Sequence, residues 1–181
     1  MRGNHRKITG EKLRDFILGA QDGIVNVLGL VLGVASATFD TKVVLIAGLA
    51  GLFAESISMG AVAFTSTKAA RDYYKSTKRK KEESLYKNPL NIGFFVFFAT
   101  LVGSAVPLLP FFLMSVKLGI IISVILSGIV LFGIGAAKAK LTIGSWKKSG
   151  VEMLMIGLVA AIAGYFIGIL LGRIIGMPVI A

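Results

Sequence analysis

Two acids stand inside stretches that are otherwise apolar. Asp22 lies in LGAQDGIVNVLGLVLGVA and Glu55 in GLAGLFAESISMGAVAF. A carboxylate held deep in hydrocarbon costs roughly 3 kcal/mol on insertion scales, so each of these needs a partner, a proton or a cation. Asn26, Ser58 and Met59 lie close to them in sequence. Two carboxylates, an amide, a hydroxyl and a thioether form a mixed ligand set. The oxygens suit Mg²⁺, Mn²⁺ and Fe²⁺, and the thioether favours the later transition metals. Without His or Cys the site should be weak, as a site must be if its ion is to leave. The same carboxylates can take protons when metal departs, which would couple the two movements. The plainer alternative is a packing seam around one buried, protonated acid, with Met59 as core filler.

Spacing groups these residues. Gly19, Asp22, Asn26, Gly29 and Gly33 recur three or four apart, so they share one helical face. That face is expected to meet other helices and to line a path. Gly51, Glu55, Ser58 and Met59 share a broad face of the next helix in the same way. With spans at about 17–38 and 43–64, Asp22 and Met59 lie at one level and Asn26 and Glu55 at another, about 8 and 14 Å deep at a rise of about 1.5 Å per residue. Antiparallel neighbours would bring Asp22 near Met59 and Asn26 near Glu55. Glu152, in GVEMLMIG, is a candidate residue of the cytoplasmic entrance or a plain partner of Lys147 and Lys148. Met153 and Met155 read as packing. Glu82 and Glu83 are outnumbered by the basic run Lys78 to Lys81, which argues against a cation site there. No phosphate loop, nucleophile–base pair or zinc spacing appears, so an enzyme is not expected.

The elements that must hold these side chains are membrane spans. The chain has 181 residues, 55% of them hydrophobic, and a mean hydropathy of +0.83. Runs of about 20 apolar residues mark an all-α integral membrane protein. A single transmembrane domain, 1–181, is expected, with five helices at about 17–38, 43–64, 90–114, 118–137 and 151–172. A short basic loop at 65–89, which begins by extending the second helix, joins the second to the third. Pro107 and Pro110 should kink or end the third helix. There is no Cys, and the one His, His5, lies in the basic N-terminal tail, so thiolate or imidazole metal sites are not expected. The first apolar run is too long for a cleavable signal peptide.

Charge sets the orientation. Seventeen of the 20 Lys and Arg lie in the N-terminal tail and in the loops after the second and fourth spans, against Lys42, Lys117 and Arg173 on the other side. By the positive-inside rule the N-terminus is cytoplasmic and the C-terminus outside or luminal. The net charge of +11 then answers to topology and anionic lipid rather than to nucleic acid. An odd number of spans excludes two equal halves in one chain, so a symmetric pathway needs two copies. Gly164, Gly168 and Gly172 form a small-residue ridge on the fifth span, which could face its own chain or a copy. The glycines of the first span are expected at a dimer seam.

Four segments carry a resemblance. RDFILGAQDGIVNVLGLVLGVA, AESISMGAVAFTSTKAARDYY, NPLNIGFFVFFATLVGSAVPLLPFF and GAAKAKLTIGSWKKSGVEMLMIGLVAAIAGYFIG resemble, in order, successive segments of the vacuolar iron transporter family. The resemblance implies a five-span homodimer that exports Fe²⁺ or Mn²⁺ from the cytosol in exchange for protons, with no tightly bound cofactor. It implies a pathway between the two subunits, lined by the first spans, and its pathway aspartate and methionine fall on Asp22 and Met59. Glu55 rests on the reading of the residues themselves. Many members carry a long Glu- and Met-rich helical insert between the second and third spans; here a short basic connection stands in its place. The competing expectation is a membrane scaffold that binds lipid or a partner and moves nothing. A chain without a targeting extension suits a prokaryotic cell membrane, or a vacuolar membrane in a eukaryote.

Overall fold

The computed structural model describes residues 2–77, 88–142 and 144–177. Residues 78–87, with Lys78 to Lys81, Glu82 and Glu83, lie outside the described residues, as does the side chain of His5. The described residues form five α-helices: α1 Arg2–Thr38, α2 Thr41–Ser76, α3 Pro89–Leu113, α4 Val116–Leu141 and α5 Trp146–Ile175. All five are long and apolar enough to cross a membrane. The five-helix, all-α expectation therefore holds.

Helix and span are not the same length. α1 begins at Arg2 and α2 runs on to Ser76, well beyond the apolar runs. Past Phe64 the chain reads TSTKAARDYYKS, with neither Gly nor Pro, and Ala, Lys and Arg favour helix in water. The connection from α1 to α2 is tight. Phe39 takes a positive φ of 55°, and the Asp40 carboxylate caps α2 by accepting from the Lys42 N–H at 2.7 Å. α5 stops at Gly176, at φ 76°, where left-handed backbone favours glycine.

α3 continues through Pro107 and Pro110 and ends at Leu113. Both rings are buried, so packing holds the helix where each proline removes an N–H. The Ser123 hydroxyl of α4 donates to the Pro107 carbonyl at 2.6 Å and ties the two helices there.

α1 is the central helix and packs against each of the other four. Its apolar side, Ile24, Val27, Leu28, Val31, Leu32 and Ala35, is almost fully buried. Around it lie Val44 and Leu52 of α2, Leu108 and Phe111 of α3, Leu131 of α4 with Met153 of α5, and Ala161 of α5. In a bilayer such contacts gain from close packing rather than from the hydrophobic effect. Large apolar side chains point outward elsewhere, as with Phe94, Ile129 and Phe166, which is what a lipid-facing surface requires.

Candidate functional site

The glycines of α1 set where that helix can be approached. A side chain at Gly19 would meet the Thr100 hydroxyl and the Val96 carbonyl of α3, each at 2.9 Å. One at Gly29 would meet the Ala160 carbonyl of α5 at 3.3 Å, and one at Gly33 the Gly164 carbonyl at 3.1 Å. Ser36 reinforces this crossing by donating to the Tyr165 carbonyl at 3.0 Å. The spacing placed these glycines on one face, turned toward a second chain. Their contacts are instead divided between α3 and α5 of the same chain, because a central helix must be approached from several sides.

What remains of that face is polar. Asn26 is exposed and Asp22 is half-buried. From α2, Glu55 meets them: Asn26 Nδ2 donates to Glu55 Oε1 at 2.9 Å. Asp22, one turn before Asn26 on the same face of α1, lies near enough to Glu55 for the two carboxyls to interact. The register between the helices follows from a second pair one turn away, where a side chain at Gly51 would run into Leu30. Three polar side chains from two helices thus converge inside a membrane-spanning segment. Glu55 and Met59 are half-buried and Ser58 is exposed on α2. Glu152 is exposed on α5, and among the described residues no ion pair joins it to Lys147 or Lys148.

One buried acid was not singled out from the sequence. Asp15 is 4% exposed and accepts from Arg14 Nη2 at 2.7 Å. It precedes Asp22 by seven residues, two helical turns, and so lies on the same face of α1. That interval was the available signal, masked by the basic residues around it.

Among the described residues, no three acids or histidines come close enough together to hold a metal ion. One chain thus offers the pair Asp22 and Glu55 with the amide of Asn26.

The family model described as the VIT family matches residues 13–92 and 80–169. The chain belongs to the VIT family. Similar proteins include an uncharacterised protein of Methanocaldococcus jannaschii, 30% identical over 88% of this chain and 91% of its own length. Vacuolar iron transporter 1 of Arabidopsis thaliana is 26% identical over 86% of this chain and 84% of its own length. Vacuolar iron transporter 1 of Eucalyptus grandis is 26% identical over 86% and 85%. The alignment to the Arabidopsis protein spans 211 positions, more than the 181 residues of this chain, so that relative carries residues this VIT-family chain lacks. The matched segments contain Asp22, Asn26, Glu55, Met59 and Glu152. With five helices of spanning length, this VIT-family member is a multi-pass membrane protein.

Proposed function

We propose that the chain is a secondary transporter that exports divalent transition metal, Fe²⁺ and/or Mn²⁺, from the cytosol in exchange for protons, and that it works as a homodimer. The observation that carries this reading is the convergence of Asp22, Asn26 and Glu55 within the spans. The names of the Arabidopsis and Eucalyptus relatives support iron as a substrate.

Two carboxyls close enough to interact hold either a cation or a proton between them. With metal bound, both are charged and offset its two positive charges. When metal leaves toward the outside, protons replace it, and their return to the cytosol resets the site. Asn26 serves both states: its N–H holds Glu55 in place, and its amide oxygen is free to face the ion. Extending the register set by Leu30 with Gly51 and Asn26 with Glu55 puts Met59 opposite Asp22, one turn nearer the cytosol. Met59 then adds a soft ligand and Ser58 a hydroxyl, while Glu152 stands at the entrance.

The exposed polar face argues for a second copy. Asn26 is exposed on one chain, and a polar amide and two acids facing hydrocarbon are costly. A two-fold axis along this face would cover them and bring two sets of ligands together.

The test is flux. Proteoliposomes should take up Fe²⁺ or Mn²⁺ and move protons the other way, and a pH gradient of the right sign should speed uptake. Metal uptake indifferent to the gradient would remove proton exchange, and no uptake of any divalent metal would remove transport.

A further inference from the structure

We infer that a groove between the start of α1 and the end of α4 holds one anionic phospholipid. The groove encloses about 370 Å³. One wall is a continuous strip of α1, formed by Gly10, Leu13, Arg14, Ile17, Leu18 and Gln21 at three- and four-residue steps; Lys138 and Thr142 of α4 form the other. It is separate from the pathway cluster, which lies between α1 and α2.

The lining has two levels. Arg14 and Lys138 bring two cations to one end of the helices, the end where the basic loops gather and where the positive-inside rule puts the cytoplasmic leaflet. Arg14 is 63% exposed while its guanidinium is anchored on Asp15, so it is held at the rim. Asp15 offsets one positive charge, and Lys138 leaves the site with a net charge of about one, matching a single phosphodiester. Lys138 is half-buried in the last turn of α4. The Thr142 hydroxyl already donates to the Lys138 carbonyl at 2.8 Å, leaving the lysine ammonium as the donor for an incoming phosphate. Below that level the floor is Ile17 and Leu18, and Leu18 is 49% exposed.

A free phosphate would use the cations and leave the apolar floor uncovered. A zwitterionic lipid would bring a choline cation to a rim that is already positive. An anionic phospholipid satisfies both levels, with its phosphate at Lys138 beside Arg14 and an acyl chain along Ile17 and Leu18. A lysine near an anionic membrane surface contributes about 1 kcal/mol.

The test is lipid retention on the purified protein, read by native mass spectrometry. Phosphatidylglycerol and phosphatidylcholine of identical chains are compared, with glycerol phosphate as the headgroup alone. One phosphatidylglycerol per chain should be kept in preference to phosphatidylcholine, and glycerol phosphate should not displace it. Lys138→Gln should weaken phosphatidylglycerol roughly fivefold, and Leu18→Trp, which fills the floor and keeps the charge, should weaken both lipids. Lys117→Gln, a lysine placed over the Phe39 ring at the opposite membrane edge, should change nothing. Equal retention of the two lipids, displacement by glycerol phosphate, or full retention in both groove variants would overturn the site. If Lys138→Gln fails to assemble, Leu18→Trp alone decides.

Discussion

Asn26 Nδ2 donates to Glu55 Oε1 at 2.9 Å, joining α1 to α2 through side chains 29 residues apart. The bond sets the direction of the Glu55 carboxylate, and with it the geometry offered to an ion. Replacing Asn26 with Leu keeps the volume and removes donor and acceptor together. A hydrogen bond to a charged group contributes roughly 1.5–3 kcal/mol, so metal affinity should fall by about tenfold or more. Asn26→Gln should recover part of it. Metal binding by titration calorimetry is the readout, and unchanged affinity in Asn26→Leu would leave Asn26 with no part in the site.

The crossing of α1 and α5 should be the least tolerant of added volume. A methyl at Gly168 would collide with the Gly33 carbonyl and the Ser36 hydroxyl. Neither of those can swing away, because Ser36 is fully buried and already bonded to the Gly33 and Tyr165 carbonyls, each at 3.0 Å. Gly168→Ala should destabilise by about 1–3 kcal/mol. At Gly133 a methyl meets nothing within 4 Å, so Gly133→Ala should be neutral or stabilise by about 0.5–1 kcal/mol. Thermal unfolding followed by size-exclusion chromatography separates the two, and equal melting of both variants would contradict the crossing.

Topology is open to direct labelling, since the chain has no cysteine of its own. Thr77 follows α2 and Met177 follows α5, after an even and an odd number of crossings. Cysteines at these two positions should react with an impermeant reagent from opposite sides, Thr77→Cys from the cytosol. Reaction of both from one side would contradict five crossings.

Assembly can be read by cross-linking. Asn26 lies on the exposed part of α1, whereas Ile129 of α4, 65% exposed, belongs to a wholly apolar, lipid-type surface. Asn26→Cys should give a covalent dimer under mild oxidation, and Ile129→Cys should stay monomeric on a denaturing gel. The reverse pattern would move the two-fold axis away from the polar face.

Much of the architecture was legible because membrane helices announce themselves by length and hydropathy. The pairing of Asn26 with Glu55 was legible for a similar reason: depth can be counted along a straight helix, and antiparallel neighbours of equal depth meet. The partners of the glycines were not. Gly19 and Gly33 share a face by spacing, yet one packs on α3 and the other on α5, since helices that cross at an angle leave a face part-way along it. Asp15 was overlooked for a different reason. Its neighbours are charged, and its burial depends on how the ends of the helices close over it.

The carboxylates are where the transport reading stands or falls. The decisive measurement is metal flux into proteoliposomes bearing wild type, Asp22→Asn or Glu55→Gln, each first shown by size-exclusion chromatography to assemble as wild type does. Both substitutions keep shape and remove one charge, which leaves a bound divalent ion under-compensated in a low-dielectric path. Fe²⁺ and Mn²⁺ flux should fall by tenfold or more in each, an effect of roughly 1.4 kcal/mol or greater. Met59→Leu should lower Fe²⁺ flux more than Mg²⁺ flux. Wild-type rates of Fe²⁺ and Mn²⁺ in both assembled carboxylate variants would contradict the mechanism and return Asp22 and Glu55 to a packing role.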